Sequence, residues 1–135
     1  MKRHFKAKPA RVFGAWLDPA SAGRWLFATP AGTMVQVDID GRAGGGFTIV
    51  DRRDGEDVAH VGKYLEVDRP RRLVFSFGVP KYSKDQAVVA IDFRPSEVGC
   101  ELTLTQEMNP SLAEYKSRTE EGWATILQNL AKFVE

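Results

Sequence analysis

The chain has 135 residues, room for one ordinary domain rather than two, with a buried fraction that needs no staples. Hydrophobic residues make up 43% and charged residues 27%, ordinary for a globular protein. The formal charge is +1 with no basic run, so neither nucleic acid nor an anionic membrane is implied as a partner, and the lone Cys100 excludes an intrachain disulfide.

Met1 to Lys8 is short, basic and not apolar, unlike a signal peptide. No run of ~18 apolar residues exists, so no membrane span is expected and a cytoplasmic location is the expectation.

Phe5 sits in a short first strand that Pro9 ends. Pro9 suits the first turn of a helix, and Val12, Phe13, Trp16 and Leu17 follow as a helical stripe. Asp18-Pro19 reads as an N-cap with proline opening a second short helix, which ends near Trp25-Leu26. Thr29 to Gly32 is a turn. The period then changes. Val35, Val37 and Ile39 alternate with Gln36, Asp38 and Asp40, a half-buried strand. The glycines between Gly41 and Gly46 predict a flexible corner or bulge, and Phe47 and Ile49 continue as a strand. Asp54-Gly55 is a hairpin signal. Val58 to Val67 is a longer strand stopped by Pro70. Leu73, Phe75 and Phe77 alternate next, Val79 to Gln86 is a polar loop, and Val89, Ile91 and Phe93 alternate after it. Pro95 to Gly99 turns the chain into Cys100, Leu102 and Leu104.

Asn109-Pro110 then opens a helix. Leu112, Tyr115, Thr119, Trp123, Ile126, Leu127, Leu130 and Phe133 mark one of its faces. At about 24 residues it would run ~36 Å, the full length of the sheet. The fold class is therefore α+β. A strand and two short helices precede about six strands, whose short links favour antiparallel pairing, and one long helix covers the apolar face.

These residues resemble a known family. The pieces are Pro9-x-x-Val12-Phe13-x-Ala15-Trp16 with Asp18-Pro19 and Trp25; Gly44-Gly45-Gly46-Phe47; Gly62-x-Tyr64-x-Glu66-Val67; Pro70-x-Arg72-Leu73-Val74-Phe75; Gly99-Cys100-Glu101-Leu102-Thr103-Leu104; and Gly122-Trp123 with Leu127 and Leu130. Their order and spacing resemble domains similar to the activator of the 90-kDa heat-shock-protein ATPase, in the START-like (SRPBCC, birch-pollen-allergen-like) superfamily. The chain departs at Gly99-Cys100, where relatives often have Gly-Thr, and at Gln106, where they often have His. The resemblance implies a helix-grip fold over residues 1–135. In it a curved antiparallel sheet of about six or seven strands wraps a long C-terminal helix, with a cavity between them. It does not imply one activity, because the superfamily includes lipid carriers, cyclases, sequestering proteins and chaperone activators.

The inward face is expected to carry Val35, Val37, Phe47, Ile49, Phe75, Phe77, Val89, Ile91, Phe93, Leu102 and Leu104, joined by Tyr115, Thr119, Trp123 and Ile126 of the helix. The same residues serve as a cavity lining or as a filled core. An empty ~300 Å³ cavity would cost on the order of 7 kcal/mol, so the space must be collapsed, wet beside polar groups, or occupied. The expected ligand-binding residues are Trp25, Val37, Phe47, Ile49, His60, Tyr64, Phe75, Phe77, Ile91, Phe93, Leu102, Tyr115, Thr119 and Trp123. The ligand class is a small hydrophobic molecule, aromatic, lipid or polyketide-like.

Other features carry less. His60 can titrate near neutrality, but its strand has two readings. Val58, His60, Gly62 and Tyr64 share one face, while Val61, Leu65 and Val67 share the other. The bland reading of His60 is a structural or exposed histidine. Tyr64 and Tyr115 can offer hydroxyls to a ligand or to a core hydrogen bond. Asp38 and Asp40 share a strand face and read as solvated. Gly44 to Gly46 lack the residues of a phosphate loop, and Cys100 reads as a buried, inert thiol. Gly122, costly inside a helix, suggests close approach of the helix to the sheet or a ligand, against a surface glycine.

No nucleophile–base pair, metal-ligand spacing or nucleotide motif stands out, so no catalytic residue, metal or cofactor is assigned. The expected function is ligand binding. The alternatives are an enzyme of cyclase or hydrolase type using the same cavity, with His60, Tyr64, Tyr115 and Asp38 as its first candidates, and a chaperone ATPase co-activator. A homodimer through exposed sheet or helix surface stays open.

Overall fold

The structure, a computed structural model, describes residues 1–26, 33–80, 87–107 and 116–135, and for residues 116–119 the backbone alone. The expected turn at Thr29 to Gly32, the loop up to Gln86, the Asn109-Pro110 cap, Leu112, Tyr115 and the Thr119 side chain lie outside the described residues.

The chain runs β1 (Lys2–Phe5), α1 (Pro9–Leu17), α2 (Pro19–Trp25), β2 (Thr33–Ile39), β3 (Gly46–Arg53), β4 (Glu56–Asp68), β5 (Arg72–Phe77), β6 (Ala87–Ser96), β7 (Gly99–Glu107) and α3 (Lys116–Val134). Pro9 opens α1, which buries Val12, Phe13, Ala15 and Trp16. Asp18 ends α1 and caps α2, accepting from the Ala20 backbone N–H at 3.3 Å and the Ser21 hydroxyl at 2.8 Å.

The strands form a seven-stranded antiparallel sheet in the order β1-β7-β6-β5-β4-β3-β2. From β2 to β7 each strand pairs with the next, as short links require. The exception is β1, which pairs with β7 at the far edge. The helices α1 and α2 therefore carry the chain from one edge of the sheet to the other, and α2 packs on β2, where a Cβ at Gly23 would lie 3.1 Å from Val37. Asp54 and Gly55 take positive φ angles of 51° and 79° in the β3–β4 hairpin, the conformation a two-residue turn of this type needs. The corner at Gly44 is tied down rather than loose. The Gly44 N–H donates to the Tyr64 carbonyl at 2.8 Å, and the Tyr64 N–H returns to the Gly45 carbonyl at 2.9 Å.

Two β-bulges set which side chains reach the inner face. One falls at Val35, between Met34 paired with Asp51 and Gln36 paired with Val50. It turns Val35 outward, 40% exposed, and sets Met34 beside Val37 and Ile39 against the core. The expectation that Val35 faces inward is thus corrected: an extra residue shifts the alternation by one position. The second falls at Leu65, 54% exposed. Before it Val58, His60 and Tyr64 face inward; after it Val67 does. Both phases read from the sequence of β4 are therefore present, one on each side of the bulge.

The described part of α3 has 19 residues, about 28 Å long. It buries Trp123, Leu127, Leu130, Ala131 and Val134. Gly122 is exposed, and among the described residues nothing lies within 4 Å of where its Cβ would be. The expected close approach of the helix at Gly122 is not there; it is a surface glycine.

Candidate functional site

The inner face of the sheet has two chemically distinct ends. At the β1-β7-β6 end, Phe5, Val89, Ile91, Cys100 and Leu102 are fully buried, and Phe93 packs edge-on to Phe13 of α1 at 5.1 Å. Ile91, Phe93 and Leu102, expected as ligand contacts, lie in this close-packed part of the core. Burial pushes the Cys100 thiol above its usual range, which suits an unreactive sulfur.

Toward β5, β4 and β3 the aromatic side chains meet in an unbroken arc. Tyr64 lies 5.6 Å from Phe47, Phe47 5.7 Å from Phe75, and Phe75 6.2 Å from Trp16 of α1. Trp16 lies 6.4 Å from Trp123 of α3, Trp123 5.9 Å from Phe77, and Phe77 stacks on His60 at 6.3 Å with ring planes 7° apart. Trp25 stands edge-on to Trp16 at 4.7 Å. The strand pleat alone explains half of this. Residues 47, 75 and 77 share one face by period two, and β4 presents His60 and Tyr64 on that face up to its bulge. Gly62 permits the crowding. A Cβ there would fall 1.8 Å from the Ser76 carbonyl and 2.7 Å from the Phe47 ring, so any other residue would force β4 and β5 apart.

The arc ends on polar groups. Ile49, facing the core, pairs with His60, and the next inward residues of β3 are Asp51 and Arg53. Asp51 is 1% exposed, and its carboxylate accepts from Arg53 Nε at 2.6 Å. The His60 ring nitrogen Nδ1 lies 3.3 Å from the Ile49 carbonyl, a bond that places the ring proton on Nδ1. The His60 pKa is pushed down to about 4. Burial is the main cause and the Arg53 charge adds to it, while the bond to Ile49 and the Asp51 charge partly offset them. At neutral pH His60 is therefore a neutral ring, able both to donate and to accept. Burial also raises the Tyr64 hydroxyl pKa, with the Asp40 charge contributing, so Tyr64 stays protonated.

Of the expected ligand contacts, the fold brings together Phe47, His60, Tyr64, Phe75, Phe77 and Trp123, with Trp25, Val37 and Ile49 beside them. Sequence reasoning missed Asp51, Arg53 and Trp16. The signal for the first two was present: they continue the series Phe47, Ile49 at the same spacing, so a carboxylate and a guanidinium fall in phase with a buried face. Gln106 accepts from the Trp123 indole N–H.

The aspartates Asp38 and Asp40 are exposed, as expected, and Asp40 pairs with Arg42 at 3.0 Å. With Ile39, Phe47, Thr48, Val61 and Lys63 they line an open depression of about 570 Å³ over Gly44, Gly46 and Gly62. Among the described residues no three His, Cys, Asp or Glu are grouped to hold a metal ion, and no helix is long and apolar enough to cross a membrane.

Residues 6–135 match the family described as activator of Hsp90 ATPase homolog 1-like protein. No curated protein matches the sequence. Among solved structures, a protein of Chromobacterium violaceum is similar at 26% identity with a TM-score of 0.87, over 100% of this chain and 95% of that one. An AHSA1-like protein of Aeromonas hydrophila is similar at 24% identity and a TM-score of 0.84, over 99% of this chain and 89% of its own. A protein of Nitrosomonas europaea shares the fold at 21% identity and a TM-score of 0.85, over 99% of this chain and 91% of its own.

Proposed function

The chain belongs to the family of activator of Hsp90 ATPase homolog 1-like proteins, within the START-like superfamily, and from that premise we propose that it binds a small, mainly apolar ligand between the sheet and the C-terminal helix. The observation that carries this reading is the aromatic arc from Tyr64 to His60, closed by the buried Asp51 and its half-exposed partner Arg53. Aromatic walls with a few fixed polar groups at one end are the usual make-up of a small-molecule site: the rings supply contact area and the polar end sets orientation. Phe47, His60, Tyr64, Phe75, Phe77 and Trp123 are the proposed contacts, and Tyr115 and Thr119 are proposed to join them. An aromatic, lipid or polyketide-like molecule fits this chemistry.

Trp123 reports on the site. Titrating naphthalene-type probes and lipid extracts is expected to change tryptophan fluorescence and raise the melting temperature by mass action. No change with any of them, together with a crystal structure showing the arc closed on itself, would overturn the reading.

A second reading, an enzyme of cyclase or hydrolase type using the same cavity, is favoured by one observation. The neutral His60 and the protonated Tyr64 are both buried on the inner face, with Asp51 on the neighbouring strand. It requires that His60→Gln keep probe affinity while abolishing turnover of a polyketide-like substrate; retained turnover removes it. A co-chaperone role rests on the family description alone, which is analogy. Failure to recover the cellular 90-kDa chaperone on the immobilised protein would count against that role.

A further inference from the structure

The chain has three tryptophans, and all three are buried: Trp16 and Trp25 are 1% exposed and Trp123 is 4% exposed. An indole nitrogen is a donor only, so each needs an acceptor once water is gone. Trp25 Nε1 donates to the Ala15 carbonyl at 3.1 Å, and Trp123 Nε1 donates to Gln106 Oε1. Trp16 Nε1 is enclosed and, among the described residues, has no acceptor. Buried donors are satisfied in the great majority of cases, and an exception in a binding region asks for a partner from outside the chain.

Its position supplies one. Trp16 stands at the middle of the aromatic arc, between Phe75 and Trp123 and against Trp25. A rigid turn of α1 presents it, with Val12 and Phe13 one turn earlier anchoring the helix in the core. A molecule lying along the rings would pass beside this indole.

We propose that the Trp16 indole N–H is the polar anchor of the ligand site, and that the ligand is a ring-bearing molecule with a neutral carbonyl oxygen, such as an aryl ketone, quinone or ester. A donor-only group selects an accepting oxygen. The surroundings are aromatic, so a carboxylate would lose its hydration there without a countercharge, whereas a neutral carbonyl loses little. The inference rests on the ligand-binding reading and narrows it to a chemical class.

The test uses the full chain with ¹⁵N-labelled tryptophan and two probes of one shape, 2-acetylnaphthalene and 2-isopropenylnaphthalene, in which a CH₂ replaces the carbonyl oxygen. The three indole signals are assigned with single Trp→Phe variants. Both probes are expected to bind, the ketone about three- to tenfold more tightly, the range one net hydrogen bond supports. The Trp16 N–H signal should move downfield with the ketone and not with the hydrocarbon, and Trp16→Phe should bind the two equally. The shift in the unaltered protein stands even if that variant folds poorly. Equal affinities with an unmoved Trp16 signal would overturn the anchor and leave ligand binding intact, placing the N–H against the face of the Trp25 ring. If neither probe binds up to its solubility, ligand binding falls and the anchor falls with it.

Discussion

The β1-β7-β6 half of the sheet and the β4-β3-β2 half are built on one pleat, yet their inner faces differ in kind. The first half carries Phe5, Val89, Ile91, Phe93, Cys100 and Leu102, all at most 2% exposed. The second half interrupts the apolar series with Asp51, Arg53 and His60, and its edge strand offers only the half-buried Met34, Val37 and Ile39. A buried polar group contributes less stability than an aliphatic one of the same size. The first half therefore holds the fold together. The second gives up stability to bury polar groups, and it is the half that holds the proposed site.

The largest expected effect tests the stabilising half. Phe93→Ala should cost about 3–5 kcal/mol in urea unfolding, because it opens a cavity against Phe13. Val37→Ala, at the half-buried edge, should cost less than half as much. Equal losses would break the comparison.

The next effect concerns His60. Its folded pKa of about 4 lies below the unfolded value of 6.5, so between those pH values the unfolded chain binds the proton and the folded chain does not. Stability from this group is complete above pH 6.5 and is lost as pH falls towards 4, by up to about 3 kcal/mol at a fully developed shift. Urea midpoints measured across that range should fall with acid in the natural protein and stay flatter in His60→Gln. Parallel curves would mean that the ring is not held neutral.

Two smaller effects sharpen the boundaries of the two halves. Gly122→Ala should raise stability by about 0.5–1 kcal/mol, since the position is exposed and helical; a loss would restore a close contact there. Val35→Thr should change stability by less than about 0.5 kcal/mol, because the bulge turns Val35 to solvent. A loss comparable to that of Val37→Ala would mean that the bulge is misplaced.

Much of this architecture was legible in the sequence. The alternations in Leu73 to Phe77, Val89 to Phe93 and Cys100 to Leu104 name the buried side of each strand correctly. Asp18 caps α2 and Asp54-Gly55 turns the hairpin, as read. Val35 was misread because a bulge leaves no local mark beyond a phase that stops fitting. In β4 the same device did leave a trace, the two competing phases around Leu65. The polar end of the site was overlooked because Asp51 and Arg53 look like solvent-facing charges until the face shared with Phe47 and Ile49 is followed to the end of the strand.

Local pattern along the chain sets the elements, their order and most of their inward residues, because backbone preference and side-chain period act over a few neighbouring positions. Long-range packing alone sets β1 against β7, brings rings from three strands and two helices into one arc, and leaves the Trp16 indole with no acceptor among the described residues. Those outcomes depend on contacts between residues far apart in the chain, where packing and shared burial, rather than local preference, select the arrangement.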